Sequence, residues 1–125
     1  MQVEKKLEKI REDVSGIDLL AYIDLSSQIV LACDADQKPA QERLNGLAET
    51  ANDIFFDHDA KRVKEILGWS SAISEVVISD QRGTSFWRIS KVDETDAIFC
   101  GGIPSIEVAV LRRASQELEN AIHNV

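Results

Sequence analysis

Residues 17–25 read IDLLAYIDL and residues 29–33 read IVLAC. In the first run Ile17, Leu19, Ala21, Ile23 and Leu25 fall on one side at period two. Leu20 and Tyr22 make the other side apolar at its middle as well, and a strand apolar on both sides at its centre is covered on both sides. Only Ser26, Ser27 and Gln28 separate the two runs, so the second strand returns antiparallel, as a hairpin. A sheet that needs cover on both faces calls for helices above and below it.

Those helices are legible on either side of the hairpin. Residues 2–15 set Val3, Leu7, Ile10 and Val14 on one stripe, with Gly16 just past it where a C-terminal cap belongs. After the polar residues 34–38, Pro39 suits the first turn of a helix, and Leu44, Leu47, Ala48, Ala51, Ile54 and Phe55 keep helical spacing. Gly46 inside that helix costs about 1 kcal/mol relative to Ala and is read as a place where another backbone comes close. Residues 57–60 break the pattern, and a short helix over 61–67 stops at Gly68. EVVIS (75–79) and TSFWRIS (84–90) form a second hairpin across Asp80, Gln81, Arg82 and Gly83. AIFC (97–100) is the fifth strand, ended by Gly101, Gly102 and Pro104. Ser105 then caps a last helix with the stripe Val108, Leu111, Leu118, Ile122 and Val125.

The order α-β-β-α-(α)-β-β-β-α predicts an α/β (α+β) fold. It is a three-layer sandwich with a five-stranded, mainly antiparallel sheet, in a single domain over residues 1–125. The first and last helices share one face and the middle helix takes the other. A helix is only about 10–12 Å wide, whereas strands lie about 4.8 Å apart, so one helix cannot cover five strands. The run Val76, Val77, Ile78 has no proline and no charge, and as an edge it invites pairing. Both features are satisfied if two copies meet, helix to helix and edge to edge. The expected homodimer interface is Leu44, Leu47, Ala51, Ile54, Phe55, Val76, Val77 and Ile78. The alternative is that the segment 57–73 folds over the same area.

In these features the chain resembles the roadblock family, the dynein light-chain and bacterial GTPase-regulator domains. The resemblance rests on the opening helix to Gly16, the IDLLAYIDL–IVLAC hairpin, the helix from Pro39, the EVVISDQRG–TSFWRIS hairpin and the ending AIFCGGIPSIEVAVLRRASQELENAI. It implies a homodimer with one sheet continuous through the middle helix and third strand of both copies. It also implies a non-enzymatic role, binding a small Ras-like GTPase or serving as a scaffold in a larger complex. The chain departs from the family at the Ser26-Ser27-Gln28 turn, where many relatives carry an acidic residue followed by glycine, and in the longer connection 57–73.

Composition narrows the partners. The 125 residues carry 14 Lys and Arg against 22 Asp and Glu, for a formal charge of −8 and a pI near 4.7. Nucleic acid and anionic membrane need clustered cations. No apolar run approaches a membrane span, the charged N-terminus does not read as a signal peptide, and two distant cysteines suit a reducing cytoplasm.

No chemical motif stands out. Asp57, His58 and Asp59 with Asp53 are metal-ligand types, and Asp34 and Asp36 are a second carboxylate pair, but each is read first as solvated. Cys33 and Cys100 lie in apolar strands without a base at hand, since the histidines are His58 and His123. Gly83 and Gly101-Gly102 lack the Lys and Ser/Thr of a phosphate-binding loop, so the chain is not itself a GTPase, and no cofactor is expected. Arg82 at a hairpin tip is the most reachable arginine for a GTPase partner, though a solubilising turn residue is its simpler reading. Trp69 is read first as a plug on the domain and second as a partner anchor. The leading expectation is a cytoplasmic, non-enzymatic homodimer that docks or regulates a small Ras-like GTPase. A small-molecule sensor of PAS or profilin type, with segment 57–73 as its lid, is the alternative. A metal enzyme using the Asp53–Asp59 cluster comes third.

Overall fold

In a computed structural model, which describes residues 2–91 and 93–123, the chain runs α1 (Gln2–Asp13), β1 (Ile17–Asp24), β2 (Ile29–Ala35), α2 (Gln41–Phe56), α3 (His58–Leu67), β3 (Glu75–Ser79), β4 (Thr84–Ile89), β5 (Asp96–Gly102) and α4 (Val108–His123). The strands form one sheet in the order β2-β1-β5-β4-β3, and every neighbouring pair is antiparallel. β1 is hydrogen-bonded on both sides, with Ala21 opposite Cys33 of β2 and Phe99 of β5. The edges are β2 and β3.

Alternation along β1 from Leu19 sends its side chains into two cores, and a register shift between Ile17 and Leu19 turns Ile17, expected on the Leu19 side, into the opposite core. Ile17 and Leu20 join Leu7, Ile10, Phe86, Ile98, Cys100, Leu111 and Leu118 in the layer beneath α1 and α4. Leu19, Ala21 and Ile23 join Ala48, Ala51, Phe55, Trp87 and Phe99 beneath α2. This is the three-layer arrangement that the two-sided apolar centre of IDLLAYIDL requires.

Local chemistry sets the ends of the elements. Gly16 takes φ +96° and Gly68 φ +70°, the left-handed region in which glycine carries no Cβ penalty. Gly68 closes α3 by donating its backbone N–H towards Glu65 and Lys64 carbonyls. Four expectations are corrected. α2 starts at Gln41 behind an extended Ala40 rather than at Pro39. α3 starts at His58 because Asp57, expected in a break, caps it by accepting the Ala60 N–H at 2.9 Å. β5 continues through Gly101 and Gly102 instead of ending before them. There the backbone passes so near its surroundings that a Cβ on Gly102 would lie 2.8 Å from Cγ2 of Ile106 and 3.1 Å from the Gly16 carbonyl.

The fourth correction concerns Ser105, which does not cap α4. The Ile106 N–H donates to the Ile103 carbonyl at 3.1 Å, forming a separate turn, and the helix begins at Val108. Val125, expected on the α4 stripe, lies outside the described residues.

Candidate functional site

The sheet face beneath α2 is only half covered. α2 turns Leu44, Ala48, Ala51 and Phe55 inward, a single helical stripe, and packs towards the β2 side. β4 and β3 lie at the other end of the sheet. On this face Val76 pairs with Trp87, and Ile78 pairs with Ser85. Trp87 is buried and stands edge-on to Phe99, and its Nε1–H donates to Ser85 Oγ at 2.9 Å. Beyond Trp87, Val76 is half-buried and Ile78 is 50% exposed.

Along the side of α2 next to this open half run Arg43, Leu47, Thr50 and Ile54, spaced four, three and four residues apart. At one end Arg43 lines a concavity of about 280 Å³ together with Asp18, Ile78, Arg82 and Phe99. At the other end lies an apolar groove of about 410 Å³ between α2, α3 and β3. Ile54, Ala60, Val63, Ile73 and Val76 line it, and Asp53, Asp57 and Asp59 stand around it.

The residues expected to form a homodimer interface separate into three groups. Leu44, Ala51 and Phe55 are buried within this chain. Leu47, Ile54 and Val76 are half-buried and Ile78 is exposed, all at the open half. Val77 pairs with Phe86 and so points to the opposite face, where it is 41% exposed. Gly46, expected at a close backbone approach, has nothing within 4 Å of where a Cβ would stand. Segment 57–73 reaches one end of the open half, where Ala60 is buried and Ile73 is half-buried against the core beneath α2, and it leaves Ile78 exposed. α3 packs against α2 and leaves Val63, Ile66 and Leu67 exposed. Trp69 is 57% exposed, so it is no plug. Arg82 is exposed at its hairpin tip, where Asp80 Oδ1 accepts the backbone N–H groups of Arg82 and Gly83.

The thiols are not poised as nucleophiles, since burial pushes both Cys33 and Cys100 up and away from the thiolate. Among the described residues no three His, Cys, Asp or Glu side chains converge as a metal site. No helix among them is long and apolar enough to cross a membrane. Sequence reading missed Arg88, which is 2% exposed on the α4 face between Glu75 and Glu119. The signal was its period: Arg88 shares a face with Phe86 in TSFWRIS, so it had to be buried and paired.

With this geometry the chain has the Roadblock/LC7 fold. It matches the Roadblock/LC7 domain from Streptomyces avermitilis with a TM-score of 0.77 at 11% identity, over 99% of this chain and 97% of that one. It matches a structure described as MglB with tetrameric arrangement with a TM-score of 0.77 at 15% identity, over 98% and 85%. It matches the gliding protein MglB from Thermus thermophilus with a TM-score of 0.69 at 17% identity, over 99% and 90%. At these identities the likeness is one of fold. No protein-family model and no curated protein matches the chain.

Proposed function

We propose that two copies of this chain join through β3 and the open side of α2, and that the dimer docks or regulates a small Ras-like GTPase without chemistry of its own. One observation carries the self-association: a free edge strand beside a half-covered sheet face. β3 presents Val76, Val77 and Ile78 with no proline or charge to block pairing. Ile78 and the Leu47–Ile54 side of α2 leave apolar area that a second α2 would cover. Gly46 supports the same reading, because among the described residues no neighbouring element packs within 4 Å of where its Cβ would stand. The tetrameric arrangement of the MglB structure supports self-association of this fold.

The GTPase half of the proposal rests on the resemblance to the roadblock family and on the likeness of fold to MglB. The test is binding of a Ras-like GTPase from the same organism, loaded with GDP or a GTP analogue, to the wild type and to Leu47→Asp. The substitution places a charge on the open side of α2 and should dissociate the dimer. Binding by the wild type and its loss in a folded, monomeric variant is the expected result. Equal binding by both would separate GTPase docking from dimerisation, and no binding in either nucleotide state would remove the GTPase from the account.

A further inference from the structure

We infer that the groove at the Ile54 end of α2 receives the Arg43 end of the same helix from a second copy, with Leu47 entering the apolar floor and Arg43 standing among three carboxylates. The inference rests on the homodimer proposed above and adds its register and its charge code.

The groove is chemically two-part. Its floor is apolar, and its polar neighbours are Thr50 and the carboxylates Asp53, Asp57 and Asp59. One wall is α3, part of the long connection 57–73. Its natural occupant is an apolar side chain one turn from a cation. Leu47 and Arg43 are such a pair, since four residues apart they share one side of a helix. Among the described residues no ion pair engages Arg43, Asp53 or Asp59. Asp57 uses one carboxylate oxygen to cap Ala60.

The register brings the two halves together. Arg43 and Ile78 line one concavity while Ile54 and Val76 line the other, so α2 runs opposite to β3. Antiparallel pairing of two β3 edges about Val77 sets Ile78 of each copy opposite Val76 of the other. The same two-fold carries Arg43 of each copy to the Val76 end of its mate, where the groove lies. An isologous contact repeats itself, so each dimer holds two such insertions. Parallel helices would set Arg43 against Arg43 and carboxylates against carboxylates, which costs free energy.

The test is a charge swap between two exposed side chains. Arg43→Glu sets a carboxylate among three others at both insertions and should weaken self-association about tenfold or more, whereas Asp53→Arg leaves Asp57 and Asp59 beside Arg43 and should weaken it less. In an equimolar mixture one insertion is native and the other sets the new carboxylate at position 43 beside the new cation at position 53, so a mixed dimer should form that is clearly tighter than the Arg43→Glu dimer. Sedimentation equilibrium reads all three. An Arg43→Glu variant that keeps the wild-type dissociation constant, or a mixture no tighter than Arg43→Glu alone, would overturn the inference. A wild type that is monomeric throughout would overturn the homodimer itself, a separate failure.

Discussion

Trp87 stands edge-on to Phe99, with ring centroids 4.6 Å apart and planes at 69°. Such a pair contributes about 0.5–1.5 kcal/mol beyond its buried area. It makes the floor on which the open half of the sheet rests, and both rings are already buried within one copy. Phe99→Ala should therefore destabilise the fold by about 3–5 kcal/mol in urea denaturation. A loss under about 1 kcal/mol would mean that the rings do not pack this way.

Arg88 bridges edge and helix. Its guanidinium lies 3.5 Å from Glu75 of β3 and 3.5 Å from Glu119 of α4, and its Nε has no hydrogen-bond partner among the described residues. Arg88→Ala leaves Glu119, 7% exposed at its side chain, without its cation, at a cost of about 3–5 kcal/mol. Arg88→Met with Glu119→Leu removes both charges and should cost less, although the Lys91 N–H loses its acceptor. Equal losses in the single and double variants by urea denaturation would contradict the pairing.

Two glycines should respond oppositely to alanine. At Gly102 a Cβ would meet Ile106 Cγ2 at 2.8 Å, so Gly102→Ala should cost about 1–3 kcal/mol, relieved in part by Ile106→Val. At Gly46 nothing lies within 4 Å, so Gly46→Ala should stabilise the separated chain by about 1 kcal/mol. The same change should weaken self-association if a second helix approaches there. Thermal denaturation of dilute samples together with a dimer dissociation constant separates the two effects for Gly46.

Stability should also depend on Asp96. Burial raises its pKa above the ordinary value, and the hydrogen bond donated by the Tyr22 hydroxyl opposes this only in part. A carboxyl whose folded pKa is raised favours folding most at low pH, and that contribution is lost as pH rises through the folded value. Asp24 and Asp93 act in the opposite direction, because hydrogen bonds from Ser27 and Ser26, and from Thr95, lower their pKa values. Their contribution is present at neutral pH and is lost in acid. Asp96→Asn should therefore gain stability at pH 7, and the gain should fade towards about pH 4, the ordinary carboxylate range. A gain that is constant with pH in urea titrations would contradict the assignment.

The parts of the fold that could be read in advance are those where periodicity and punctuation agree. IDLLAYIDL states that both faces are covered, and Gly68 closes α3 where a left-handed residue is needed. The misread ends have tertiary causes. Gly102 stays in β5 because Ile106 and Gly16 press against it, and neither contact is visible in the local pattern. Asp57 looked like a break because a cap and a break use the same residue types. On α2 the spacing announced an apolar helix but not which stripe the chain itself would bury. Leu44, Ala51 and Phe55 went inward, and Leu47 and Ile54 remained at the margin. Arg88 was legible through its period, but its partners Glu75 and Glu119 lie 13 and 31 positions away in sequence, a distance no motif spans.

The central claim is that the open half of the sheet is covered by a second copy. Light scattering coupled to gel filtration, at two concentrations, measures this directly. Self-association through this face predicts a mass of twice 13.9 kDa at both concentrations. A mass of 13.9 kDa at both would contradict it, leaving Ile78 and the Leu47–Ile54 side of α2 as surface for some other partner.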